Sequence, residues 1–261
     1  MSVLDTFSLK GKVAVVTGGA GLYGRQIVAA LAEAGATTFI AARDQAKLEA
    51  VASEERAAGN DVTALTLDLD SDASIEALHR TVLERAGRCD VLINNAVTRS
   101  AISGWDHDLA DYDRSLRVNA SALFKITSLF GKSMAAQKAG SIVNIGSMMG
   151  MVGIEMGNYA GTDMNANPSP IYHYEKGGMI NFTRWAASIL GRDNVRVNCL
   201  SPGGLYSGQP APFVKNYSDR TQLGRMANET DLMGAIVFLA SDASAYITGT
   251  NIPVDGGYTA K

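Results

Sequence analysis

Tyr172 and Lys176 stand four residues apart in the run Tyr172-His173-Tyr174-Glu175-Lys176. On a helix that spacing puts a phenol and an ammonium on one face. A phenol titrates at about 10, so exchanging its proton near neutral pH requires stabilisation of its anion. A cation about 4 Å away supplies about 4 kcal/mol at an effective dielectric of about 20. The chemistry open to such a pair is proton transfer to or from a reacting group. Tyr174 has no equivalent partner, because four residues further on stands Gly178. The pair alone is also what an ordinary helix surface carries, so its surroundings must decide.

A second feature is Thr17-Gly18-Gly19-Ala20-Gly21-Leu22-Tyr23-Gly24, which follows the apolar run 12–17 and opens a helical pattern. Glycines allow positive φ and close backbone approach, and a helix start offers N–H groups to a pyrophosphate. A tight strand-to-helix turn that binds nothing is the plainer reading of such glycines in isolation. The place of this turn, after the first strand of an alternating array, points to a dinucleotide. The histidines (His79, His107, His173) have no metal-ligand spacing, so no metal site is expected. His79 reads as a surface helix residue, His107 as a loop residue after Trp105, and His173 as facing away from the Tyr172–Lys176 stripe.

The elements that must position these groups alternate from end to end. Strands are expected at 12–17, 37–42, 62–67, 90–94, 141–145, 195–200 and 251–254. Helices are expected at 22–34, 44–57, 71–86, 112–137, 170–190 and 229–240. Right-handed crossovers lay such helices on both faces of one parallel sheet. The reading is an α/β, Rossmann-type doubly wound sheet of seven strands in the order 3-2-1-4-5-6-7, in a single domain over 1–261. Two irregular stretches, 148–169 and 201–221, follow strand ends where open α/β sheets bind ligands, and are read as active-site loops.

Composition narrows the class. The chain has 261 residues, 46% hydrophobic and 19% charged, which excludes a disordered chain. The formal net charge of −3 gives no footprint for nucleic acid or an anionic membrane. No apolar run is long enough to span a bilayer, and the first ten residues lack the pattern of a secretory signal. The two cysteines, Cys89 and Cys199, read as buried thiols, and a soluble cytoplasmic protein is expected.

Together these motifs resemble the short-chain dehydrogenase/reductase family along essentially the whole chain. Thr17, Gly18 and Gly24 match that family's Thr-Gly-x-x-x-Gly-x-Gly turn; Leu22 takes the place of its middle glycine, and a glycine sits one position earlier, at Gly21. The resemblance implies cofactor contacts at Gly18, Gly21, Leu22 and Tyr23, with Leu22 acting through its backbone. It implies an adenine contact at Asp68-Leu69 and a turn beneath the cofactor at Asn94-Asn95-Ala96-Val97, where Val97 replaces a glycine. It also implies a nicotinamide-holding segment, Pro202-Gly203-Gly204-Leu205-Tyr206-Ser207, with contacts at Pro202, Gly203, Leu205 and Ser207. The implied catalytic set is Asn119, Ser147, Tyr172 and Lys176, with Tyr172 and Lys176 also touching the cofactor. Ser147 would hydrogen-bond the reacting oxygen, Lys176 would hold the nicotinamide ribose, and Asn119 would anchor a relay water. The implied function is NAD(P)-dependent interconversion of a secondary alcohol and a carbonyl. The other class open to the chain is a non-catalytic dinucleotide-binding sensor or scaffold, which Leu22 and Val97 alone favour.

At the end of the second strand, Ala42 stands where NAD-preferring relatives carry an acidic residue, and Arg43 where NADP-preferring ones carry a basic one. NADP is therefore expected, with NAD open; Arg43 paired with Asp44 or Glu49 is the plainer alternative. Ser147 and Tyr172 lie 25 positions apart, leaving an insertion rich in Glu155, Asn158, Tyr159, Thr162, Asp163, Asn165 and Asn167. With Gln209, Lys215 and Arg220 in the other loop, this favours a sugar or sugar-acid substrate. A surface or subunit-contact loop is the alternative. Phe124, Phe130, Phe182 and Trp185 exceed what one sheet face needs, and the resemblance implies a homo-oligomer, a dimer or tetramer.

Overall fold

Seven short strands run parallel in the order 3-2-1-4-5-6-7: β1 (Val13–Thr17), β2 (Thr37–Ala42), β3 (Val62–Thr66), β4 (Val91–Asn94), β5 (Gly140–Ile145), β6 (Val195–Pro202) and β7 (Asn251–Val254). The computed structural model describes residues 2–98, 104, 108–164 and 169–260. Trp105, His107, Asn165 and Asn167, singled out above, lie outside the described residues. The helices are α1 (Leu22–Glu33), α2 (Gln45–Ala57), α3 (Asp72–Ala86), α4 (Leu109–Leu116), α5 (Ala122–Gln137), α6 (Pro170–Leu190), α7 (Ala211–Ser218) and α8 (Met233–Ala240).

The alternation of side chains along the strands explains the layers. Ala14 and Val16 of β1 join Ile40, Ile93 and Val143 on one face, against apolar residues of α1, α2 and α8. Val13 and Val15 join Phe39, Leu92 and Ile142 on the other, against α3, α5 and α6. A central strand buried on both faces reads as a nearly continuous apolar run, as β1 does over Val13–Val16 before the buried Thr17 at its end. Register puts Val15 opposite both Phe39 and Leu92, so the strand ends of β1 and β4 finish close together.

A buried polar ladder crosses this apolar sheet. Asn94 Nδ2 donates to Asn144 Oδ1 at 2.8 Å, and Asn144 Nδ2 donates to Thr183 Oγ1 at 2.9 Å. Thr183 in turn donates to the Met179 carbonyl of its own helix at 2.8 Å. Asn94 Nδ2 also donates to Thr127 Oγ1 of α5 at 3.1 Å, so the ladder ties both α5 and α6 to β4 and β5.

Several expected boundaries shift for identifiable reasons. Asp44 and Ser71 are not the first helical residues; their side chains accept from Lys47 N and Ser74 N as caps of α2 and α3. The single helix expected at 112–137 starts earlier, at Leu109 behind the cap Asp108, and contains a π-helical turn at Arg117–Ser121. The helix expected from 229 begins at Met233, because Asn228 and Asp231 bond nearby backbone N–H groups in a polar turn. The stretch 201–221 is not wholly irregular, since it holds α7.

Two side-chain expectations are also corrected. His79 is half-buried rather than on the surface, bonded to Ser133 Oγ at 2.8 Å and edge-on to Phe130; burial lowers its proton affinity. Phe130 is fully buried and belongs to the sheet core, not to a spare apolar face. Cys89 and Cys199 are buried and unpaired, as expected. Among the described residues, no helix is long and apolar enough to cross a membrane.

Candidate active site

The glycine turn after β1 is clamped to the turn after β4. Thr17 Oγ1 accepts from Asn95 N and Ala96 N, each at 3.0 Å, and the Asn95 amide donates to Thr17 O and Gly18 O, each at 3.0 Å. Gly18 sits at φ +70° with its Cβ position only 2.9 Å from Ala96 Cα, so no side chain fits. A Cβ on Gly24 would fall on the Gly18 carbonyl oxygen. The helix opens at Leu22 with Gly21 as its cap, and the first backbone bond back to the cap comes from Arg25 N. The N–H groups of Leu22, Tyr23 and Gly24 therefore head the helix without acceptors inside it, a cradle for an anion. Leu22 itself is 59% exposed, so replacing the middle glycine costs the turn nothing in packing.

Along α6, Tyr172 and Lys176 do share a face, with Lys176 Nζ 5.8 Å from the Tyr172 ring centroid. Lys176 is buried and donates to the carbonyl of Ile145, the last residue of β5, at 2.7 Å. Two residues on, buried Ser147 accepts from Met149 N at 3.1 Å, which leaves the serine its own hydrogen to donate. The short 3₁₀ turn that follows (Met148–Gly150) lies against the same helix: a Cβ on Gly150 would meet the Lys176 carbonyl at 2.6 Å.

Asn119 lies in the π-helical turn, and such turns gather at functional sites. Its amide clasps Thr98 from both sides: Oδ1 accepts from Thr98 N, and Nδ2 donates to Thr98 O, each at 2.9 Å. Nδ2 also donates to Glu175 Oε2 at 2.9 Å, and Ser115 Oγ donates to Glu175 Oε1 at 2.8 Å. Burial raises the proton affinity of Glu175, opposed by those two hydrogen bonds and by Lys176. The motif hid this acid in plain view: Ile171, Glu175, Met179 and Thr183 form one buried stripe of α6, and only one member is acidic.

The segment Pro202-Gly203-Gly204 is held at three points. Gly203 N donates to Val254 O at 3.0 Å, Tyr23 Oη donates to Gly203 O at 2.8 Å, and Gly204 N donates to Tyr217 Oη at 2.5 Å. Burial pushes both phenols up, Tyr217 to about 12, so both stay protonated. Tyr217 comes from α7, which the sequence reading missed; its signal is the apolar pair Phe213 and Tyr217 four apart after Pro210 and Pro212. Further along, Leu205 bridges Ala227, and Ser207 N donates to Gln209 Oε1.

The two long loops lean on each other around a third apolar cluster of Met148, Phe213, Tyr217, Met226 and Tyr258. The polar groups expected to face a substrate are largely used inside this unit. Asn158 Nδ2 donates to Tyr258 Oη at 2.9 Å, Glu155 pairs with Arg220, and Thr162 bonds the Tyr159 carbonyl. Lys215 pairs with Asp219 one helical turn on. Beyond β3, Asp68 and Leu69 are half-buried, with Asp68 N bonded to Ser74 Oγ. Asp70 and Asp72 lie near Arg117, with Arg114 also beside Asp70. Arg43 is exposed, and neither partner expected to neutralise it does so: Asp44 pairs with Lys47, and Glu49 with Arg56.

Comparison with known proteins places this geometry among oxidoreductases. A family model described as enoyl-(acyl carrier protein) reductase matches residues 21–259. The 3-oxoacyl-[acyl-carrier-protein] reductase of Thermotoga maritima is 32% identical over 95% of this chain and 98% of its own length. The galactitol 2-dehydrogenase of Rhizobium johnstonii is 31% identical over 99% of each chain. Among solved structures, a gluconate 5-dehydrogenase from Burkholderia cenocepacia in complex with NADP and tartrate superposes with a TM-score of 0.87, at 27% identity and 100% coverage of both chains. A short-chain dehydrogenase from Leptospira borgpetersenii with bound NAD+ superposes at 0.86, with 28% identity, over 98% of this chain and 95% of its own.

The contrast between two glycines tests the cradle. Gly24→Ala drives a methyl onto the Gly18 carbonyl, whereas a Cβ on Gly21 stays 3.3 Å from the same atom. Gly24→Ala is expected to weaken dinucleotide binding by about tenfold or more, since overpacking a tight site costs about 1–3 kcal/mol. Gly21→Ala is expected to stay within about threefold. Fluorescence titration with NADP checks both, and equal losses would refute this account of the turn.

Proposed function

We propose, because the chain belongs to the short-chain dehydrogenase/reductase family and is an oxidoreductase of it, that it interconverts a secondary alcohol and a carbonyl on a polyhydroxylated substrate. The observation that carries the reading is the tie between α6 and the end of β5: the buried lysine one turn from Tyr172 grips Ile145, two residues before Ser147. The glycine cradle fits a nicotinamide dinucleotide, since its helix start offers N–H groups and its crowded glycines let backbone approach the pyrophosphate. When bound, that cofactor supplies or accepts the hydride.

The chain's own residues then have separate tasks. Ser147 points its remaining hydrogen at the reacting oxygen and orients it. Tyr172 Oη gives that oxygen a proton in the reducing direction and takes one in the oxidising direction. Lys176 keeps positive charge on the same helical face and reaches the cofactor ribose. Asn119, clasping Thr98, anchors the far side of the cleft. The polyol preference draws on the named substrates of the galactitol and gluconate relatives. The polar residues of the insertion support it less, because Glu155, Asn158 and Thr162 are engaged within the protein.

A panel of galactitol, gluconate and a 3-oxoacyl thioester, run with NAD and with NADP, tests the substrate class through the absorbance of the reduced nicotinamide. Turnover of a polyol or sugar acid is expected; turnover of the thioester alone would overturn the reading. On the best substrate, Tyr172→Phe is expected to lower kcat by about 10²–10⁴-fold with cofactor binding within a few-fold. Wild-type kcat in that variant would remove Tyr172 from the proton transfer.

The cofactor of choice in this reading is NADP, held at its 2′-phosphate by Arg43, whose acidic neighbours are occupied elsewhere. Arg43→Ala is expected to weaken NADP about 10- to 100-fold, from a charged hydrogen bond of about 1.5–3 kcal/mol, and NAD little. Equal losses in a titration would return Arg43 to the solvated surface.

The same reading includes a homo-oligomer. Phe124 and Trp185 are each 52% exposed and form an aromatic patch with Phe182 on α5 and α6. A second copy of this chain covers that patch. Phe124→Glu with Trp185→Glu is expected to lower the mass measured by light scattering to that of a smaller assembly; an unchanged mass would exclude this face as the contact.

A further inference from the structure

Glu175 is an acid on the buried stripe of α6, only 7% exposed. Burying a carboxylate is costly unless its oxygens are bonded, and here each oxygen has one donor. Ser115 Oγ donates to Oε1 from α4, and Asn119 Nδ2 donates to Oε2 from the π-helical turn. The Asn119 amide is thereby committed. One Nδ2 hydrogen goes to Thr98 O and the other to Glu175, with Ser115 Oγ a longer contact at 3.3 Å, while Oδ1 takes Thr98 N. An ionised carboxylate accepts and never donates, so Glu175 rejects the flipped amide, which would turn Oδ1 toward it. Thr98 follows directly on Asn95-Ala96-Val97, the turn that holds the glycine cradle.

Resting on the hydride-transfer reading above, we propose that Glu175 is a positioning residue: it fixes the Asn119 amide in the orientation that clasps Thr98. The chain leaving β4 is thereby held in register with the helix that carries Tyr172 and Lys176. Three consecutive layers of the site are linked through one side chain, from the cradle turn to Thr98, to Asn119, to α6. Lys176, the next residue, supplies charge that offsets the cost of the buried acid.

Two substitutions of similar size separate positioning from mere filling of space. In Glu175→Gln, the new Oε1 accepts from Asn119 and Ser115 turns its hydroxyl to accept from the new amide, so the clasp survives. In Glu175→Leu the carboxylate acceptor is lost, Asn119 Nδ2 keeps only the longer contact to Ser115 Oγ at 3.3 Å beside its bond to Thr98 O, and the clasp loosens. The readouts are the hydrogen-exchange rate of the Thr98 amide by NMR, with NADP bound, and kcat and KM on galactitol or gluconate. Glu175→Leu is expected to speed Thr98 exchange by about tenfold or more and to lower kcat about 10- to 100-fold with KM within about threefold. Glu175→Gln is expected to restore both to within about threefold. If Glu175→Leu does not fold, Glu175→Asp, which retracts the carboxylate by one methylene and cannot reach both donors, carries the same expectation. A folded Leu or Asp variant with native Thr98 exchange and native kcat overturns the proposal, as does a Gln variant as damaged as Leu. Tyr172→Phe on the same substrate is the control. If it keeps its turnover, the hydride-transfer reading falls, while Thr98 exchange in the Glu175 variants still decides the clasp.

Discussion

The ligand end of the sheet depends on how closely the ends of β1 and β4 approach. Thr17 and Asn95 bind each other's backbone, and the space left between the two turns is too small for a Cβ at Gly18. Hydrogen bonds draw the turns together, and steric exclusion sets how far they can come. That balance fixes the first turn of α1, and so where its N–H groups point. Leu22 is tolerated because it lies outside this contact. Gly24 would not be, since it faces the Gly18 carbonyl. A motif that looks imperfect letter by letter is intact at the positions where atoms compete for space.

The face of α6 that carries Tyr172 and Lys176 is built on the same principle, with polar groups inside an apolar sandwich. Each rung of the Asn94–Asn144–Thr183 ladder adds only about 1 kcal/mol net, but a rung left unpaired costs about 1–3 kcal/mol. Such a ladder says little about total stability and much about register: it ties α5 and α6 to β4 and β5. In that arrangement Lys176 turns toward Ile145 and Glu175 toward Asn119. The π-helical turn contributes by adding a residue where Asn119 must meet both Thr98 and Glu175.

The sequence made the sheet order legible because β1, β2, β4 and β5 are short apolar runs separated by helical patterns, and parallel crossovers admit few arrangements. It made Tyr172, Lys176 and the glycine turn legible because their spacing encodes a shared face or a tight turn. Glu175 was passed over because a motif reading looks at the ends of Tyr-x-x-x-Lys and not at what the helix buries between them. α7 was missed because Pro210 before it and Pro212 within it read together as loop, although Pro212 falls in the first turn of the helix, where a missing N–H costs nothing. His79 looked exposed because its partners, Phe130 and Ser133, come from a helix some fifty residues away. What a single sequence cannot display is which polar side chains satisfy one another.

That distinction bears most on the two long loops. By composition alone, Glu155, Asn158 and Arg220 are groups waiting for a substrate. In place they are the polar fastenings of a small subdomain whose apolar centre is Met148, Phe213, Tyr217 and Tyr258. Tyr217 also fastens Gly204, so the insertion, α7 and the segment after β6 are tied into one connected unit. Groups already bonded to one another stiffen this unit and are not loose hydrogen-bonding groups. A change at Tyr217 would act on Gly204, and through Gly203 on Tyr23 of the glycine cradle, with no substitution at the catalytic residues themselves.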